Sequence, residues 1–185
     1  MNTKVLKLDI TGRPLKWVNI KEAAVLFTTQ KIAWSVGDPI LMIQGGINRL
    51  TGKRSRLHFA PVIAVHSRNL RGRSLCPPLL NRFLFARDSF FCLYCGEKFS
   101  PTDLTRDHIF PQGRGGLDTW ENCVTACKRC NHTKGCRTPE EANMKLLAVP
   151  YKPNHFEFLA LSNRHILADQ MEFLEKGFSR KRLLA

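Results

Sequence analysis

The sequence predicts an α+β protein, and three observations carry that expectation. Short stretches of strand character surround one amphipathic helix in the first third of the chain. Two Cys-x2-Cys pairs, Cys92/Cys95 and Cys127/Cys130, then bracket a segment of mixed strand and loop character. After Thr138 the pattern turns helical. The expected order is a small N-terminal antiparallel sheet with a helix, a cysteine-stapled module, and C-terminal helices.

Residues 4–9, Lys-Val-Leu-Lys-Leu-Asp, read as a first strand, and Thr11-Gly12-Arg13-Pro14 as a turn. Leu15–Val18 continues as a second short strand. Asn19 is placed to cap a helix over Lys21–Thr28, whose apolar face is Ala23, Ala24, Leu26 and Phe27. Lys31–Val36 and Ile40–Ile43 read as strands split by Gly37-Asp38-Pro39. Gly45–Arg56, polar and basic, reads as a loop, and His58–Val65 as one further strand. His58 and His66 are each isolated from other polar chemistry, as surface or satisfied core histidines are.

Residues 67–87 carry Arg68, Arg71, Arg73, Arg82 and Arg87 among glycine and prolines, which predicts a basic linker with phosphate contacts. A short helix over Asn81–Asp88 leads into the cysteine module. Thr138-Pro139-Glu140-Glu141 has the form of a capping box, predicting a helix through Leu147. A second helix is expected over Phe156–Glu175, and the tail Arg180-Lys181-Arg182 is basic. The domain reading is therefore 1–66 as an N-terminal α+β region, 67–87 as linker, 88–150 as the cysteine module, and 151–185 as a helical extension.

Composition limits the function classes. Of 185 residues, 43% are hydrophobic and 24% charged, which fits a folded globular chain and argues against general disorder. Lys and Arg number 29 against 15 Asp and Glu, a formal charge of +14. An anionic polymer, nucleic acid first, is the partner such a charge favours. No run of about 18 apolar residues predicts a membrane span. Residues 1–10 have no apolar core of a secretory signal. With two metal-type cysteine pairs and an odd total of 7 cysteines, a reducing, cytoplasmic setting is expected.

Two Cys-x2-Cys pairs can offer four thiolates at tetrahedral angles, so Cys92, Cys95, Cys127 and Cys130 are expected to hold a structural Zn²⁺. Four protein ligands leave no open position for catalysis. The 31 residues between Cys95 and Cys127 exceed the spacing of common zinc ribbons and must contain structure of their own. Leu104–Ile109 has strand character, Pro111–Gly116 reads as a loop, and Lys128–Lys134 as a helix ended by Gly135. Within this insertion stand Asp107, His108 and Asn122, and just past the last cysteine Asn131.

Phosphodiester hydrolysis needs an activated water and neutralisation of charge on the phosphate. A neutral imidazole takes a proton from water near neutral pH. Carboxylate and amide oxygens are hard donors suited to Mg²⁺ or Mn²⁺. Adjacent strand residues point to opposite faces, so Asp107 and His108 reach one site only through a bulge, or they divide the work.

Residues 88–138 resemble the HNH endonuclease family. The resemblance rests on Cys92-x2-Cys95, Asp107-His108-Ile-x-Pro111, Gly115-Gly116, Trp120-Glu121-Asn122, and Cys127-x2-Cys130-Asn131-x2-Lys134-Gly135. It implies a zinc-stapled ββα-metal nuclease module and metal-dependent cleavage of DNA. It further implies His108 as general base, Asp107 and Asn131 as ligands of a catalytic Mg²⁺ or Mn²⁺, and Asn122 as the residue that holds the hairpin loop and so orients His108. Asn131 stands where many relatives have His. His132 is an alternative ligand, but helical rotation of about 100° per residue turns it elsewhere if Asn131 faces the metal. Arg106, Arg114, Lys128, Arg129 and Lys134 are candidate DNA phosphate contacts. A homodimer is compatible with a double-strand cut. Two other readings share these features: a zinc-containing nucleic-acid-binding module without chemistry, and an RNA nuclease.

Overall fold

Residues 4–39, 41–66 and 77–179 are described by a computed structural model. In chain order the elements are β1 (Val5–Asp9), β2 (Pro14–Val18), α1 (Ile20–Thr28), β3 (Ile32–Val36), β4 (Leu41–Ile47), β5 (Arg54–Phe59), β6 (Val62–Val65), α2 (Asn81–Arg87), β7 (Leu104–His108), β8 (Cys123–Cys127), α3 (Lys128–Lys134), α4 (His155–Ser162) and α5 (Ala168–Glu175). The described chain is thus mixed α and β, with small sheets and five helices. It divides into two compact units, Met1–Ser74 with Asn163–Ala185, and Leu75–Ser162. Arg68, Arg71, Arg73, Cys76 and the basic tail lie outside the described residues.

In the first unit a four-stranded sheet runs β2-β1-β6-β3. Its outer pairings are antiparallel and the central β1–β6 pairing is parallel, so the sheet is mainly antiparallel with one parallel pairing at its centre. The reason is visible in the residues. β6 is Val-Ile-Ala-Val and buried throughout, as is β1 except Lys7, so these two take the centre, where both faces are covered. Asn19 caps α1, its Oδ1 accepting from Glu22 N at 2.8 Å. α1 delivers Ala23 to the core of Val5, Val18, Phe59 and Ile63. Gln170 of α5 is fully buried and donates to the carbonyls of Lys4 and Pro61, each at 2.9 Å.

Two expectations fail here. Residues 45–47 and 54–56 are strand rather than loop, because β4 and β5 pair as a separate two-stranded ribbon with the turn at 48–53. His58–Val65 is two strands rather than one: β5 ends at Phe59, and Pro61, which has no N–H for a ladder, stands between it and β6.

In the second unit α2 is not a free linker helix. Phe83, Leu84 and Phe85 pack with Leu104, Trp120 and Cys123. Arg87, expected on a basic surface, is buried and donates to Asp88 and to the carbonyls of Trp120, Tyr151 and Cys123. The helix expected over 138–147 is absent. Thr138 and Glu141 do form their reciprocal bonds at 2.9 and 3.3 Å, but Asn143 takes φ +54° and Met144 N reaches back to Pro139 O. Burial of Met144 and Leu146 against the cysteine cluster overrides local helix propensity. The single helix expected over 156–175 is two, α4 and α5, interrupted at residues 163–167.

Candidate active site

β7 and β8 pair in register from Leu104↔Cys127 to His108↔Cys123, and α3 follows β8 directly. β8 ends on Cys127, whose sulfur caps α3 by accepting from Cys130 N at 3.4 Å. Gly135 ends the helix. The sharp turn from strand into helix sets Cys127 and Cys130 beside the Cys92–Cys95 knuckle, and all four sulfurs lie within 4.8 Å of one another. A tetrahedral Zn²⁺ with Zn–S near 2.3 Å needs sulfurs about 3.8 Å apart, so small movements complete the shell. Burial opposes a Cys92 thiolate, but amides of Cys127, Cys95 and Tyr94 outweigh it and hold that thiol below its ordinary value. The residues therefore fit a structural zinc ion.

Strand alternation sends Asp107 and His108 to opposite sides of β7, and no bulge interrupts the pairing. Asp107 is buried toward α3. Its Oδ1 lies 3.0 Å from Lys134 Nζ, and its Oδ2 accepts the Tyr94 hydroxyl at 2.5 Å. Burial, then the bond to Asp107, keeps the Tyr94 phenol firmly protonated. Asn131 lies beside Asp107's strand, its amide nitrogen donating to Thr105 Oγ1 at 2.9 Å. Both Lys134 and Asp107 were expected in other roles. Lys134 is 1% exposed and paired, so it is no surface phosphate contact. Asp107 is no open cation ligand: a divalent ion on its carboxylate would sit against the Lys134 ammonium, like charge beside like charge. As arranged, Asp107 and Asn131 do not fit a bound divalent cation.

His108 opens on the other side. Its Nε2 lies 3.1 Å from Asp118 Oδ1. Asp118 is gripped by Arg106, whose Nη1 lies 2.7 and 2.6 Å from its two oxygens. That guanidinium holds the Asp118 carboxyl below the usual range, so it faces His108 ionised. Burial and Asp118 push the Cys123 thiol up to about 12, leaving it a neutral donor to Asp118 at 3.4 Å. His108, Arg106 and Asp118 line a polar hollow of about 530 Å³ with Asn81 and Gln112. Asp118 was missed from the sequence. Its signal was a carboxylate ten residues past His108, on a connection whose Gly115-Gly116 turns the chain back.

Asn122 holds that connection. Its Oδ1 accepts from Phe110 N at 2.9 Å, and its Nδ2 donates to the carbonyls of Phe110 and Leu117. Gly116 is required because a Cβ there would collide with Phe110 O. The remaining basic residues separate. Arg106 is held inward by Asp118, Asn81 Oδ1 and Leu79 O, which removes it from the free phosphate contacts. Arg114 pairs with Glu141 at 2.6 Å at the surface and lies over the Phe110 ring. Lys128, 4.0 Å from Asp103, and Arg129 are exposed on α3, as is His132.

Comparison with known proteins places these elements. The model of the HNH endonuclease family matches residues 92–147, from the first zinc-type cysteine to the end of the turn region after α3. A 68-residue stretch is 35% identical to the CRISPR-associated endonuclease Cas9 of Corynebacterium diphtheriae, covering 36% of this chain and 6% of that protein. The cysteine cluster, the β7–β8 hairpin with His108, and α3 all fall within the family match. Residues 92–147 are thus similar to HNH endonucleases, and the rest of the chain lies outside that match.

Proposed function

We propose that this chain is an endonuclease that hydrolyses phosphodiester bonds of DNA, with His108 as general base, inside a zinc-stapled ββα module. The observation that carries it is the Arg106–Asp118–His108 chain of contacts at the open hollow, within the segment that matches HNH endonucleases. An ionised carboxylate accepts from Nε2–H. The imidazole in that tautomer leaves Nδ1 with a lone pair. Nδ1 takes a proton from water as the water oxygen attacks phosphorus, and the P–O bond to the leaving sugar oxygen breaks. Asp118 orients the ring and stabilises the imidazolium that forms; Asn122 fixes the loop that carries Asp118's approach. The nearby cations Lys128 and Arg129 lie on the same module and are suited to phosphate contact.

Zinc on Cys92, Cys95, Cys127 and Cys130 supplies the frame rather than the chemistry. HNH nucleases act with a divalent cation, expected here to be Mg²⁺ or Mn²⁺. Asp107 is not free to hold that cation in this arrangement, because Lys134 and Tyr94 already engage it. DNA as substrate is supported by the chain's +14 formal charge and by the family. Among the described residues no helix is long and apolar enough to cross a membrane. The test is cleavage of a supercoiled plasmid by the zinc-loaded chain with Mg²⁺ or Mn²⁺. His108→Ala is expected to reduce the rate at least about 100-fold, the scale of general-base catalysis, with zinc content unchanged. Undiminished cleavage by that variant refutes the assignment.

A further inference from the structure

The first unit carries a feature that hydrolysis does not use. β4 and β5 form a two-stranded ribbon separate from the main sheet. Residues 44–56 are exposed without interruption. A two-stranded hairpin is marginal on its own, so something must anchor it. The anchor is at its base, where Ile43 and Leu57 pack on the core around Phe59 and Ile63. Beyond them, among the described residues, nothing buries the ribbon.

Register sorts its side chains. Gln44 pairs with Arg56 and Met42 with His58, and Arg54 Nη1 bonds Gln44 Oε1 at 3.1 Å. One face therefore presents Met42, Gln44, Arg54, Arg56 and His58, while Ile43, Leu57 and Phe59 lie on the face that meets the core. The turn adds Arg49 and Lys53, shaped by Asn48 Oδ1 accepting from the amides of Leu50 and Thr51. Residues 39–87 contain no Asp or Glu at all. None of Arg49, Lys53, Arg54 and Arg56 makes an ion pair among the described residues. A solvated surface usually interleaves both signs; this arm has one sign only.

We infer that the β4–β5 ribbon is an arm that binds duplex DNA, with Lys53, Arg54 and Arg56 on backbone phosphates. Charge complementarity selects the polyanion, and the major groove, about 12 Å wide, admits a two-stranded ribbon. The inference rests on the nucleic-acid reading above but not on cleavage. Binding is measured by fluorescence anisotropy of a labelled 20-bp duplex with no divalent cation added, so cutting does not enter.

Each phosphate contact adds about 0.9 to the slope of log affinity against log salt, so Lys53→Gln/Arg54→Gln/Arg56→Gln is expected to flatten it by about 2.7. Between about 50 and 200 mM salt the variant then loses about 40-fold less affinity than the wild type does. Arg54→Lys/Arg56→Lys keeps the charges and is expected to keep the slope. Lys16→Gln/Lys21→Gln/Lys31→Gln removes the same charge from exposed positions outside the ribbon and is expected to leave most of it. Zinc content and circular dichroism confirm that each variant is folded. An unchanged slope in the ribbon variant, an equal change in the control, or no duplex binding by the wild type overturns the inference. His108→Ala is expected to lose hydrolysis and bind as the wild type does, so failure of the nuclease reading is distinguishable from failure of the arm.

Discussion

Lys134→Met removes the buried partner of Asp107 and keeps most of the side chain's apolar length. The two groups are 3.0 Å apart with side chains 1% and 5% exposed. At an effective dielectric near 20 their attraction is about 5.5 kcal/mol, much of it offset by desolvation. Deleting one partner leaves an uncompensated carboxylate facing only the Tyr94 hydroxyl, and such deletions cost about 3–5 kcal/mol. For a unit of this size each kcal/mol shifts the melting temperature by about 4–8 °C, so the fall is at least about 12 °C. The assay is guanidinium unfolding of the zinc-loaded chain, followed through Trp120 after Trp17→Phe/Trp34→Phe. Lys134→Met/Asp107→Asn removes the orphan charge and is expected to recover at least about 1 kcal/mol. Added Mg²⁺ is expected to stabilise Lys134→Met and not the double variant, because a freed carboxylate is a cation ligand. A Lys134→Met variant within about 0.5 kcal/mol of wild type, the range of an ordinary surface substitution, refutes the buried-pair argument.

Asp118→Asn keeps an oxygen for His108 Nε2 but removes the charge; cleavage is expected to fall about 10–100-fold with zinc content unchanged, read by plasmid nicking. Because Arg106 lowers the Asp118 carboxyl in the folded chain, its contribution is complete above the ordinary carboxylate value and is lost as pH falls through the depressed one. Imidazole resonances of His108 in NMR are therefore expected to keep their Asp118-dependent shift down to below pH about 4. Asn122→Ala deletes three loop bonds and is expected to cost about 1–3 kcal/mol and to broaden backbone resonances of residues 109–117. Cys95→Ser is expected to lower zinc from about one per chain to near none and to unfold the second unit, read by metal analysis and Trp120 fluorescence.

The hairpin and helix of the site were legible in the sequence for physical reasons. Cysteine pairs fix where the chain must return, and Lys128–Gly135 has a capped start and a glycine stop, so α3 spans the residues expected. Strand alternation left two outcomes for Asp107 and His108, a bulge or a division of roles, and the unbroken pairing of β7 with β8 gives the second. Only the exposed half of the β4–β5 ribbon was not legible, because it lacks the apolar alternation that marks a half-buried strand. The capping box at Thr138 formed as written and still started no helix. Local bonds identify a turn; only burial of Met144 and Leu146 decided what followed it.

The inward position of Lys134 follows from helix geometry. Helix positions three apart share a face. A reading that turns Asn131 of α3 toward β7 must turn Lys134 there as well. The nearest residue of β7 able to answer an ammonium is Asp107. The same rotation that sets His132 outward therefore sets Lys134 inward, and the observed bonds follow: Asn131 to Thr105, Lys134 to Asp107. Charge at the site is then divided by the strand. On the α3 side a carboxylate is neutralised by lysine and tyrosine and holds the fold. On the open side a second carboxylate, Asp118, is held ionised by Arg106 and faces the imidazole. In the proposed reaction, hydrolysis at His108 therefore depends on Asp118, and the integrity of the hairpin that presents it depends on Asp107.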